Sequence, residues 1–319
     1  MVLILLILSI APVIFFAYQI YKRDFDKEPK EILIKLFISG IGSAFLTLIL
    51  SSFLTSLIPF FNYDSTSLNV IELIPYVFIG IALVEEFSKW IFVYNLEYND
   101  NEFNHLYDGI VYAAFVSLGF ACFENIIYVM TAGIDDGVRI AIMRAILSIP
   151  GHLCFGVLMG YFLAIAKLAN VNKNQSLSNK NKLFSVLAPV IAHGMFDYLL
   201  MVSDAVDNDM IPLVVYFIFV VLLFLYSSRK VKQLASNYYN LNPGYISIND
   251  RKKMQQSKFM NDAYNYQTMN NGYSQTNYLQ QSIYNNYNQY INNNINRYCS
   301  NCGSVAIGKY CANCGNEIK

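Results

Sequence analysis

The chain has 319 residues, 55% of them hydrophobic and only 14% charged, with 22 basic and 22 acidic side chains and a mean hydropathy of +0.36. That balance excludes a water-soluble domain of this length and gives no evidence for a nucleic-acid partner. It points to an all-α polytopic membrane protein.

Seven apolar segments are long enough to cross a hydrocarbon core of about 30 Å. They are Val2–Ile20, Ile32–Phe60, Ile71–Tyr94, Tyr107–Met130, Val138–Leu168, Leu183–Val202 and Ile211–Tyr226. The first has no basic residue before it and no small-residue cleavage site after it, so it reads as a retained span rather than a signal peptide. The fifth contains Pro150-Gly151, an expected kink.

Basic residues cluster after the first span (Lys22, Arg23, Lys27, Lys30), the fifth (Lys167, Lys173, Lys180, Lys182) and the seventh (Arg229, Lys230, Lys232). The segments after the second and sixth hold aspartates and no Lys or Arg. Lys/Arg-rich loops stay in the cytoplasm, which predicts an N-terminus outside and a C-terminus inside a cell membrane. The acidic loop Glu97–Leu106 is predicted inside. Arg139 and Arg144, near the outer end of the fifth span, run against the trend, and a buried partner for Arg144 would account for it.

Residues 1–235 are thus expected to form the membrane domain. Residues 236–297 turn to Asn, Tyr, Gln and Ser without periodicity, and read as a disordered linker that cannot offset its ordering entropy. Residues 298–319 carry Cys299, Cys302, Cys311 and Cys314 as two Cys-x-x-Cys-Gly knuckles. Four thiolates at this spacing predict a closed, structural zinc site resembling a minimal zinc ribbon, able to dock a cytoplasmic protein partner. A redox pair is the alternative. Cys122 and Cys154, alone in apolar segments, read as small hydrophobes.

Ionisable side chains inside the spans carry the functional signal, because each costs about 2.5–3.5 kcal/mol to insert. Glu85 and Lys89 are i,i+4 and expected to pair, whereas Glu86 is turned by about 100° toward a neighbouring helix. Glu124 lies in the fourth span, Arg144 and His152 in the fifth. In the sixth, His193 and Asp197 are i,i+4, the arrangement in which a carboxylate orients an imidazole. Singly, each has a bland reading as an ion pair or a satisfied core group. Together they describe an acid–base site or a metal site within one bundle.

Glu85-Glu86-Phe87-Ser88-Lys89 matches the E-E-x-x-K pattern of the PrsW family of intramembrane proteases, Phe120…Glu124 its F-x-x-x-E, and His193…Asp197 its H-x-x-x-D. Asp108-Gly109, Gly119-Phe120-Ala121 and Arg144…Pro150-Gly151-His152 resemble the family too, so the resemblance covers about Ile71 to Leu200. The wider superfamily, with the CAAX-type prenyl proteases and Abi proteins, favours Arg and His where this chain has Lys89 and Glu124. The resemblance implies hydrolysis of a membrane-anchored protein, such as an anti-sigma factor, at the lipid bilayer. Glu85 or Glu86 would be the general base, His193 with Asp197 would polarise water or bind a metal, and His152 or Arg144 would stabilise the oxyanion. A catalytic metal is left open. The rival readings are a proton-coupled transporter and a non-catalytic sensor whose output is the zinc ribbon.

Overall fold

The computed structural model describes residues 2–96, 98–206, 210–237, 239–242, 245, 247–252 and 255–257, and the short strands 297–298 and 305–306; for residues 134 and 135 and the strands only the backbone is described. The chain divides into two compact units, Met1–Ala235 and Ser236–Lys319.

The described residues of the first unit form helices joined by loops and turns. In order the unit contains α1 (Val2–Arg23), α2 (Lys30–Leu57), two short 3₁₀ turns, α3 (Leu73–Pro75), a π-helix (Tyr76–Leu83), α4 (Val84–Leu96), α5 (Leu106–Thr131), α6 (Gly133–Ile146), α7 (Ser148–Val171), α8 (Gln175–Ala205) and α9 (Ile211–Ala235). Among the described residues six helical stretches are long and apolar enough to cross a membrane: α1, α2, α5, the α6–α7 run, α8 and α9. The segment expected as the third span is helical from Leu73 to Leu96 but divided among α3, the π-helix and α4, none of which reaches spanning length alone.

α5 is the axis of the bundle. Every residue from Leu106 to Cys122 is buried, as for a helix that is apolar on all sides. Close approach of its neighbours depends on missing side chains. A Cβ on Gly40 of α2 would overlap the Val116 carbonyl of α5, and one on Gly119 would overlap the Phe37 carbonyl of α2. On the other flank, Gly160 of α7 lies against the Gly109 backbone of α5. Small residues at a crossing let backbones meet where lipid supplies no hydrophobic drive between helices. The outer helices present Ile14, Phe15, Ile49, Phe53, Leu222 and Leu225 to their surroundings, a surface suited to acyl chains rather than water.

The expected kink at Pro150 is a complete break three residues earlier. α6 ends at Ile146 and α7 starts at Ser148, with Leu147 between them. Pro150 has no N–H for the Ile146 carbonyl, so it is accommodated in the first turn of a new helix rather than inside a bent one. In α8, Pro189 stands one turn before His193. One turn before Pro189, Ser185 Oγ donates to the Lys182 carbonyl (2.6 Å) and accepts from Trp90 Nε1 (2.9 Å), tying α8 to α4.

In the second unit, β1 (Arg297–Tyr298) pairs antiparallel with β2 (Val305–Ala306), Arg297 opposite Ala306. Cys299, Cys302, Cys311 and Cys314 lie outside the described residues, as does most of the expected linker. Within that linker residues 248–252 are helical, a turn composition did not suggest. It is capped locally, the Asp250 N–H donating to Ser247 Oγ at 3.2 Å.

Candidate active site

α4 begins directly after the π-helix, so Glu85 and Glu86 stand in its first turn and Lys89 one turn on. π-helical geometry is rare and concentrates at functional sites. The Lys89 ammonium donates to Glu86 Oε1 at 2.6 Å and lies 3.6 Å from Glu85 Oε2. This reverses the expected pairing: Glu86, not Glu85, is the closer partner. The cause is where the lysine head goes. It turns inward to His152 Nδ1 (3.1 Å) and the face of Phe120 (4.0 Å), and that side of the helix belongs to Glu86. Glu86 and Lys89 are completely buried, while the Glu85 side chain keeps 13% exposure.

α8 brings His193 onto the same carboxylates. Its Nδ1 lies 2.9 Å from Glu86 Oε1 and 4.0 Å from Glu85 Oε2. Its Nε2 lies 3.2 Å from Asp197 Oδ2, so carboxylates face both ring nitrogens and hold the ring's orientation. The ring also stacks on Phe155 of α7, centroids 4.6 Å apart.

α7 and α5 complete the cluster. His152 Nε2 is 2.8 Å from Glu124 Oε2, and because Nδ1 accepts from the Lys89 ammonium, Nε2 carries the hydrogen toward Glu124. Arg144 reaches in from α6 with Nη2 2.7 Å from the same Glu124 oxygen and Nε 3.0 Å from Asn125 Oδ1, its guanidinium over Tyr128 at 4.3 Å. Arg144 therefore has a half-buried partner inside the bundle, which accounts for its position. Asn125 is a residue the sequence reading passed over, although an amide beside Glu124 in an apolar run was a signal. It is fully buried, and its Nδ2 donates to the Ser9 carbonyl of α1 at 2.9 Å, joining the first helix to the site.

All eight predicted membrane residues thus meet in one connected network: Glu85, Glu86, Lys89, Glu124, Arg144, His152, His193 and Asp197. So many charges are sustainable in a buried site only because nearly every one has an opposite partner in contact. Glu85 Oε2 and Glu86 Oε2 are buried without a hydrogen-bond partner, and ligand atoms of Glu85, Glu86 and His193 all lie within 4.8 Å of one another. Two carboxylates and an imidazole so placed suit a divalent cation such as zinc.

A second buried polar group, unforeseen in the sequence, sits at the α1–α2 loop, where Asp24 and Glu28 are each 5% exposed beside the first turn of α5. Asp108 Oδ2 there accepts from the Asn104 and His105 N–H groups at 2.9 and 2.6 Å, closing the start of α5. Burial pushes the Asp24 carboxyl up to about 7 against the pull of Lys27. Burial pushes Glu28 up to about 11, reinforced by the charges of Asp108 and Asp24.

The family model described as "PrsW family intramembrane metalloprotease" matches residues 28–226. The chain is 34% identical over 229 residues to Protease PrsW of Oceanobacillus iheyensis, covering 72% of this chain and 95% of that protein. It is 33% identical over 227 residues to Protease PrsW of Geobacillus kaustophilus (70% and 89% covered) and 31% identical over 229 residues to that of Bacillus subtilis (72% and 94%). No solved structure matches. With a family match over most of the chain and a network of buried acids, bases and cations inside apolar helices, the chain belongs to the PrsW family of intramembrane metalloproteases and is a multi-pass membrane protease.

Proposed function

We propose that this protease hydrolyses a peptide bond of a single-span, membrane-anchored protein, an anti-sigma-factor-like substrate, with water activated at the Glu85–Glu86–His193 cluster. The observation that carries this is the convergence of Glu85, Glu86 and His193, from two helices, with Glu85 Oε2 and Glu86 Oε2 buried and making no hydrogen bond. Glu85, the less tightly engaged carboxylate, takes a proton from water as the oxygen attacks the carbonyl carbon. Glu86 stays paired with Lys89 and, with Asp197, orients His193 against the reacting water. The His152 Nε2–H and the Arg144 guanidinium are the donors nearest Glu124 for the developing oxyanion. The proton held on Glu85 then passes to the leaving amine as the C–N bond breaks.

The same cluster fits a metal. Glu85, Glu86 and His193 would hold it, and a bound zinc-like ion would supply Lewis acidity and a more acidic water at neutral pH. Chelation separates the two chemistries, since only the metal-dependent one is lost and recovered on adding zinc.

Position in the membrane supports the substrate class. Glu124 is 18 residues from the start of α5 and 7 from its end. At 1.5 Å per residue it lies about 10 Å from the Thr131 end. With the basic loops in the cytoplasm and the helical run Leu73–Leu96 crossing as one further span, the Thr131 end is external and the cut falls in the outer half of the bilayer. The tail from Ser236 is then cytoplasmic, and the spacing of Cys299, Cys302, Cys311 and Cys314 supports a structural zinc there, available to a cytoplasmic partner.

The test is co-expression of tagged single-span proteins with the wild-type chain and with Glu85→Gln. A fragment that needs the carboxyl is expected, its new terminus within the outer half of the substrate's span. Equal cleavage by a well-expressed Glu85→Gln, Glu86→Gln double variant overturns the reading.

A further inference from the structure

Away from the site, α1 packs mainly on α5 and α6 and α9 on α8 and α7, and the two scarcely touch each other. The space between them is a slot of about 330 Å³ with Leu153, Cys154 and Val157 of α7 at its floor and Phe15, Phe16 and Phe224 among its walls. It runs along α1 from Phe15 to Arg23, eight residues or about 12 Å, close to the depth of one leaflet of a 30 Å hydrocarbon core.

Its mouth differs from its walls. Gln19 and Arg23 are i,i+4 on α1 and both line the slot, with Ser228 facing them from α9. Neither Gln19 nor Arg23 has a hydrogen-bond or ion-pair partner among the described residues, although Arg23 ends a helix rich in hydrophobic side chains. In lipid the apolar walls do not favour one hydrocarbon over another, so selectivity rests with these polar groups. A guanidinium at the end of an acyl-chain-sized slot is complementary to a phosphodiester, which it can grip through two parallel N–H bonds.

We infer that the α1–α7–α9 slot is a binding site for one glycerophospholipid of the leaflet on the Arg23 side. One acyl chain lies against α7 and the phosphate is held by Arg23, with the Gln19 amide and the Ser228 hydroxyl at the ester level. The occupied slot would back the segment of α7 that follows His152 and includes Phe155, which stacks on His193. The inference does not depend on the proposed cleavage chemistry, because its measurement is bound lipid.

The experiment uses the full chain purified in detergent and incubated with phosphatidylglycerol or with diacylglycerol of the same acyl chains, followed by native mass spectrometry. Wild type is expected to retain one phosphatidylglycerol and no diacylglycerol. Arg23→Ala, at an exposed position, should weaken retention at least about tenfold, since it removes the charge-assisted hydrogen bonds to the phosphate. Ser228→Trp, which fills the slot from its edge, should abolish it. Both variants should elute as wild type does in gel filtration. Equal retention by wild type and Ser228→Trp, or equal retention of the two lipids, overturns the site. So does a Gln19→Cys, Ser228→Cys variant whose cross-links join two copies across the slot, since a second chain would then be its occupant.

Discussion

Lys89 Nζ lies 2.6 Å from Glu86 Oε1 and 3.6 Å from Glu85 Oε2. Two adjacent glutamates are thereby held unequally: Glu86 Oε1 takes the close contacts to the buried ammonium and to His193 Nδ1, whereas Glu85 Oε2 meets them only at 3.6 and 4.0 Å. Glu85→Gln is therefore expected to lower turnover by about 100- to 10,000-fold, the range for loss of a general base, with little change in thermal stability. Glu86→Gln should instead destabilise the fold by about 3–5 kcal/mol, because it strands a buried cation. Turnover and unfolding midpoints measured on both variants check the division. The reverse pattern would return the base to Glu86.

Arg144 acts on Glu124 through contact, and the pair should behave as a unit. Arg144→Lys is expected to reduce activity about 10- to 100-fold, since a lysine cannot span both Glu124 and Asn125 as the guanidinium does. A double-mutant cycle of Arg144→Ala with Glu124→Gln should show a coupling of about 0.5–3 kcal/mol in transition-state free energy. Additive losses would mean that the two side chains work separately.

The α2–α5 crossing depends on backbone contact at Gly40 and Gly119. Gly40→Leu should prevent recovery of folded protein, because its side chain would displace the Val116 carbonyl rather than another side chain. Gly42→Ala is the matched control, as its Cβ would meet only the Phe92 ring at 3.4 Å and should be tolerated. Yield and monodispersity in detergent distinguish the two.

Raised carboxyl values make the α1–α2 loop sensitive to alkali. Asp24, at about 7 in the folded state against an ordinary 3.8, and Glu28, at about 11 against 4.5, bind protons more tightly folded than unfolded. Their favourable contribution is full below pH 4 and declines as pH rises, Asp24 through about 7 and Glu28 through about 11. Groups facing them are Lys27, Asp26, Glu102, Asp108 and Tyr112. Protection from hydrogen exchange at residues 24–28, taken relative to the intrinsic rate at each pH, should therefore fall between pH 6 and 9, and Glu28→Gln, neutral throughout, should flatten that fall. An unchanged slope in the variant would remove Glu28 as its source.

The tail should be separable from the chemistry. Truncation after Ala235 is expected to leave cleavage intact, with an altered choice among substrates. Cys299→Ser, Cys302→Ser should lose about one zinc per chain by metal analysis, whereas the truncated protein reports any zinc held in the membrane domain.

The sequence by itself determined which residues of the membrane domain enter one polar network, because a charge inside an apolar run is visible locally and its insertion cost holds in any fold. Glu85, Glu86, Lys89, Glu124, Arg144, His152, His193 and Asp197 were all legible on that ground, and so was the helical class. Partner choice was not. Whether Lys89 meets Glu85 or Glu86 depends on the rotation of α4 about its axis, set by the π-helix before it and by His152 and Phe120 across from it. Asn125 owes its role to Ser9, 116 residues away in sequence, and Asp24 and Glu28 owe their burial to the start of α5. The break at Leu147 likewise followed from where Pro150 could be seated, and not from its presence alone. Hydropathy records what each segment avoids. Only the packing of helices at glycine-sized separations decides which polar atoms are left facing one another, because a helix turned by one residue presents a different face.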